Sequence, residues 1–213
     1  MNGYLTVDRE SSLETVIQKS RFIGQCFPVT EEKAATAILD QIRKRYWDAT
    51  HNCYAYCIGS RAETARSSDD GEPSGTAGMP ILQVLTAKGL TNTLCIVTRY
   101  FGGVLLGAGG LIRAYSGSAA ASIDSAGIVH MLPCTDYILP LPYPVWASIE
   151  HSIRRESTVN SVEYSDHVQV LGHVPETDTS RFCAFVQNVT DGRSKPVFAA
   201  TEFRAVKTED RFC

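Results

Sequence analysis

The sequence predicts an α+β protein of two domains that meet near residues 133–136. Three observations carry this. Fourteen of the sixteen glycines precede Pro133, whereas Pro133, Pro140, Pro142 and Pro144 fall within twelve residues. The charge balance shifts at the same place: residues 1–133 hold twelve acids and twelve bases, and residues 134–213 hold eleven and eight. Beyond residue 134 the segments follow the order β-α-β-β-α-β. A composition shift at a proline cluster marks a domain boundary, so the expected domains are 1–133 and 134–213.

In the first domain, residues 4–7 and 21–26 read as short strands. Thr30 starts a helix with Glu31 and Glu32 in its first turn and Arg43, Lys44 and Arg45 in its last, a charge order that matches the helix dipole. Apolar residues at 34, 38 and 42, flanked by 35 and 39, form its expected buried stripe. Strands are expected at 53–58, 81–85 and 94–100. A second helix is expected from about Gly109 to Ala126, with Leu111, Ile112, Tyr115, Ala119 and Ile123 inward and Gly127 closing it. In the second domain, 137–141 is a strand and Pro144 opens a helix that turns Val145, Ile149 and Ile153 inward beside Trp146. A hairpin at 159–164 and 168–174 follows, then a helix from about Thr179 to Val189 between Asp178 and Gly192. A strand at 197–206 completes a ferredoxin-like unit.

Composition narrows the function. Of 213 residues, 44% are apolar and 20% charged, the balance of a chain that buries a core. A net charge of −3 and a pI near 6.0 provide no global basic field, so an RNA or phosphate site must be a local patch. No apolar run approaches the roughly 20 residues that cross a bilayer, and the first residues lack a signal-peptide pattern. Seven cysteines, at 26, 53, 57, 95, 134, 183 and 213, lie mostly in strand-like runs and read as buried reduced thiols. Strand parity puts His51, Cys53 and Cys57 on one face, but no fourth metal ligand accompanies them. The chain is therefore expected to be cytoplasmic, with no membrane partner, metal or cofactor.

Two segments concentrate the chemistry. The first is Ser67-Ser68-Asp69-Asp70-Gly71-Glu72-Pro73-Ser74-Gly75-Thr76-Ala77-Gly78. Its three carboxylates could hold a hard cation such as magnesium, although the spacing is not that of a calcium loop. It also reads as a long ordered turn whose side chains bond local amides. The second runs from Thr98-Arg99-Tyr100-Phe101-Gly102-Gly103 through Gly107-Ala108-Gly109-Gly110 to Arg113. Here a strand ends in a glycine loop that leads into a helix N-terminus, where free amides bind anions and Arg99 and Arg113 add charge. An arginine early in a helix opposes the dipole. The loop matches neither the phosphate-loop nor the dinucleotide fingerprint, and its glycines equally suit tight turns and close packing. Triads such as Ser116 with His51 find no support in the spacing.

These segments resemble the IMPACT/YigZ family of translation-associated proteins. The matching strings are Lys19-Ser20-Arg21-Phe22-Ile23, His51-Asn52-Cys53-Tyr54-Ala55-Tyr56, Ser68 through Gly78 with Met79-Pro80-Ile81, and Thr98 through Arg113-Ala114-Tyr115. The resemblance implies a first domain like domain IV of the translocating elongation factor, a fold shared with a ribosomal protein's second domain and with small-molecule kinases. It implies a second domain like the ferredoxin-like domain V of the same factor. Eukaryotic relatives restrain a starvation-sensing kinase through an additional module that the bacterial two-domain type lacks. For that bacterial branch the resemblance implies nucleic-acid or ribosome binding. The hydroxyl-rich helix start of the kinases is missing from 107–113.

The leading expectation is a non-catalytic factor that binds RNA or the ribosome. Lys19, Arg21, Arg99 and Arg113 would contact phosphates, Tyr100 or Phe101 would stack on a base, and Gly102, Gly103, Gly109 and Gly110 would allow close approach. The same sequence also suits an internal network in which Arg21, Arg99 or Arg113 pairs with Asp69, Asp70 or Glu72. Ser68, Asp69, Asp70, Gly71, Glu72, Ser74, Gly75 and Thr76 would form the adjoining functional loop. Two alternatives stand: an enzyme on a small phosphorylated metabolite with a divalent cation on Asp69, Asp70 and Glu72, and a protein–protein regulator whose loop 68–78 docks a partner.

Overall fold

A computed structural model describes residues 3–206, so Cys213 lies outside the described residues. Its contacts divide the chain into two compact units, one made mostly of Tyr4–Met131 and the other of Leu132–Arg204. The chain is α+β, as expected.

The first unit is built on five strands, β2 (Ser11–Ile17), β3 (Ser20–Pro28), β4 (His51–Ile58), β5 (Thr64–Ser68) and β6 (Thr93–Tyr100). They lie in the order β2-β3-β6-β4-β5 with every neighbour antiparallel. Helix α1 (Glu32–Arg45) covers one face, where Ala35, Leu39 and Ile42 pack with Phe27, Tyr56, Leu94 and Ile96. Helices α2 (Gly78–Ala87) and α3 (Gly107–Ala126) cover the other, enclosing Phe22, Cys26, Cys53, Ala55, Cys95 and Val97. Strand alternation sorts these residues: along β6, 94 and 96 face α1, while 95 and 97 face α2 and α3. A short strand β1 (Tyr4–Val7) pairs with the first four residues of β7 (Ile128–Leu141).

Four expectations change here. Residues 81–85 are helical rather than extended: Ala77, Ile81 and Leu85 are buried four residues apart, the spacing of one helix face, which a short apolar run does not separate from a strand. The stripe of α1 is 35, 39 and 42 with 38 partly buried, and Ala34 is exposed. In α3, Ile112 points outward and the small residues Ala114, Ser118 and Ser122 turn inward. Strands β2 and β5 were not apparent, because their residues are mostly small or polar and edge strands need bury little.

The second unit contains the rest of β7, then α4 (Tyr143–Glu156), β8 (Thr158–Tyr164), β9 (Val168–Pro175), α5 (Thr179–Val189) and β10 (Val197–Val206). Its strands lie in the order β8-β9-β7-β10, with β7 and β8 both antiparallel to β9. This is the split βαβ arrangement. Trp146, Ile149 and Ile153 of α4 and Phe182 and Val186 of α5 close its core over Tyr137, Leu139, Val168 and Val170. Residues 133–136 lie within β7. Pro133 falls between the stretch that pairs with β1 and the stretch that pairs with β9.

Candidate functional site

The antiparallel register brings one end of β3, β4 and β6 together. Arg21 stands opposite Tyr100, Phe22 opposite Arg99, and His51 opposite Arg99 on the other side. Parity turns His51 and Arg99 to the α2–α3 face, and residues 69–77 fold over them before α2 begins.

The carboxylates of that loop are each committed internally. Asp69 accepts from the backbone N–H groups of Gly75, Ala77 and Gly78 at 2.8–3.0 Å. It thereby caps the start of α2, where Ala77 provides no side-chain cap. Partial burial opposes ionisation of Asp69, but these three donors outweigh it and hold its pKa below the ordinary value of 3.8. Asp70, at φ 44°, accepts from the Asn52 amide at 2.7 Å and lies 3.5 Å from Arg43. Its own amide donates to Ser68 Oγ at 3.2 Å. The Thr76 hydroxyl donates to the Pro73 carbonyl at 2.6 Å. Ser74, Gly71 and Gly75 remain exposed.

Glu72 is the centre of a buried network. Its Oε1 accepts from Arg99 Nη1 at 2.6 Å and from the Tyr115 hydroxyl at 2.7 Å, and His51 Nε2 lies 3.8 Å away. His51 Nδ1 is 2.8 Å from the Asp70 carbonyl; a carbonyl only accepts, so Nδ1 carries the proton. Arg99 Nη2 donates to Ser20 Oγ at 3.4 Å, and the same oxygen accepts from the Gly102 amide at 3.2 Å. The Arg99 guanidinium lies 5.4 Å from the Phe22 ring and 5.5 Å from the Phe101 ring. Burial, then neighbouring Cys53 and Glu72, drive the Tyr115 phenol far up in pKa. Burial likewise pushes the Cys53 thiol up to about 12, and that thiol donates to the Asp69 carbonyl at 3.0 Å.

This corrects one expectation. Arg99 is 5% exposed and paired with Glu72, so it holds the loop and is not presented to a phosphate. The other basic residues are accessible. Lys19 is exposed in the β2–β3 turn at φ 70°. Arg21 makes a two-pronged pair with Glu14 at 3.0 and 2.9 Å and lies 5.1 Å from the Tyr100 ring centre. Arg113 is exposed on the first turns of α3 and reaches back beside Gly109. The two glycine-loop positions differ: Gly102 is wedged against the Lys19 backbone, whereas Gly103, at φ 82°, has open space around it. Gly110 packs against Leu106. Tyr100 donates to Asp48 at 2.9 Å, and Phe101 is 46% exposed.

Trp47, which is not among the residues expected to form the site, is 82% exposed in the turn between α1 and β4. A signal was present. The stripe 35, 39, 42 continues to Tyr46, which packs against the core below α1, so residue 47 points away.

A family model described as the Impact N-terminal domain matches residues 18–123, which include all of these residues except Glu14. The chain is 39% identical over 195 residues to the IMPACT family member YvyE of Bacillus subtilis, covering 91% of this chain and 90% of that protein. The chain belongs to the IMPACT family. The family member YigZ of Escherichia coli is 32% identical over 179 residues, covering 83% and 88% of the two chains. Protein IMPACT of Homo sapiens is 32% identical over 95 residues, 42% of this chain and 29% of that protein. Among solved structures, a crystal structure described as that of a hypothetical protein superposes with a TM-score of 0.61 at 28% identity, covering 98% of this chain and 99% of that one. The family's shared domain therefore spans both loops and the network that joins them.

Proposed function

We propose that this IMPACT family protein is a non-catalytic, translation-associated factor that binds RNA, free or within the ribosome, at the strand ends of its first unit. The observation that carries the reading is a division of charge. The acids of loop 68–78 are turned onto backbone amides or onto Arg99, while Lys19 and Arg113 are exposed, and Arg21, though paired with Glu14, is exposed over the Tyr100 ring. Accessible cations on the same domain as the exposed Phe101 ring and the half-buried Tyr100 ring suit a phosphate backbone with unpaired bases. The divalent-cation enzyme has less support, because Asp69, Asp70 and Glu72 are already held by N–H donors and Arg99.

The test is a salt titration of binding to purified ribosomes and to a short single-stranded RNA. Log affinity should fall linearly with log salt concentration, and Lys19→Ala and Arg113→Ala should each reduce the slope by about one. Absence of binding to both targets, with the protein folded, overturns the proposal.

A further inference from the structure

We infer that Trp47 is a stacking platform that makes this surface select unpaired bases over duplex RNA, an inference that rests on the RNA-binding reading above. The chain has two tryptophans. Trp146 is 4% exposed in the core of the second unit, whereas Trp47 is 82% exposed. A large aromatic side chain left this open forgoes the burial that usually places it inside.

The backbone around Trp47 is fixed on both sides. The Tyr46 amide donates to the Ile42 carbonyl at 2.9 Å and the Ala49 amide to the Tyr46 carbonyl at 3.0 Å. Asp48 accepts from the Tyr100 hydroxyl at 2.9 Å. Thr50 donates its amide to the Arg99 carbonyl at 2.9 Å and accepts the Phe101 amide on Oγ1 at 3.0 Å. Bonds to Tyr100, Arg99 and Phe101 therefore tie the turn carrying Trp47 to the same strand end as the accessible cations. The backbone that carries the indole is therefore already ordered, so only the side-chain torsions of Trp47 are left to be fixed when a planar partner arrives.

Charge complementarity selects the partner. Arg43, Lys44 and Arg45 directly precede this turn; Arg43 is partly offset by Asp70 at 3.5 Å, which leaves Lys44 and Arg45 as the main cations beside it. Arg21, paired with Glu14, lies over Tyr100. Asp48, the acid next to Trp47, has its carboxylate engaged by Tyr100. An anionic chain passing over these cations brings bases to the indole. Only a base free of its own stack can lie on it, because a duplex offers edges and phosphates in its grooves.

The experiment uses the full chain with a single-stranded oligouridylate and a duplex RNA of equal length, titrated against wild type, Trp47→Phe and Trp47→Ala. Trp47→Ala should weaken single-strand binding by roughly tenfold, as the loss of one base stack does. Duplex affinity and the salt slope should stay unchanged, and Trp47→Phe should recover most of the loss. Single-stranded RNA should quench tryptophan emission in the wild type, and the residual Trp146 emission of Trp47→Ala should not respond. Wild-type affinity in Trp47→Ala, or equal losses on both RNAs, overturns the inference while leaving RNA binding intact. Failure of the wild type to bind either RNA overturns this inference, and failure to bind purified ribosomes as well overturns the RNA reading itself.

Discussion

Glu72 and Arg99 meet at 2.6 Å with side chains only 3% and 6% exposed, although one comes from an acidic loop and the other from a strand end. Removing one partner of a buried pair leaves an uncompensated charge and costs about 3–5 kcal/mol. Arg99→Ala and Glu72→Ala should each fall in that range in urea unfolding. The double variant should lose much less than the sum, because the first change has already removed the interaction.

Tyr115→Phe isolates the third member of the network. Its ring keeps the edge-on contact with Phe22, at 5.4 Å and 87°, and loses only the hydroxyl that donates to Glu72. A loss of about 1–3 kcal/mol is expected, that of one buried hydrogen bond to a charged group. Equilibrium unfolding measures it directly.

Asp69 predicts an acid-sensitive limb. Its folded-state pKa lies below the ordinary 3.8, so its contribution is present at neutral pH and is lost as pH falls through the folded-state value. Asp69→Asn should lower stability at pH 7 and flatten its decline below about pH 4. Urea midpoints at a series of pH values, for wild type and variant, provide the check.

Gly102 and Gly103 should respond differently to alanine. At Gly102 a Cβ would overlap the Lys19 backbone, so the β2–β3 turn and the glycine loop could not both keep their places. Gly103→Ala meets open space and bears only the left-handed strain at φ 82°, about 1–2 kcal/mol. Thermal melts of the two variants should therefore separate clearly, with Gly102→Ala the less stable.

Much of this was legible beforehand. The order of elements in the second unit follows from hydrophobic spacing and prolines, which act locally. The inward turn of Arg99 was also readable, since it shares strand parity with Cys95 and Val97. What parity could not provide was the partner: Glu72 lies 27 residues away, and only the folded loop shows that it, rather than a ligand, meets the guanidinium. The helix at α2 was hidden for a related reason. Its cap, Asp69, lies eight residues before Ala77, far outside the window in which local capping signals operate.

That distant cap has a consequence for hydrogen exchange. The amides of Gly75, Ala77 and Gly78 belong to an irregular, glycine-bearing stretch that would ordinarily trade protons with water freely. Each is instead held by one carboxylate, so none is released until Asp69 withdraws. Their deuterium uptake should slow together and quicken together in Asp69→Asn, which makes the stretch from Asp69 to the start of α2 a single opening unit.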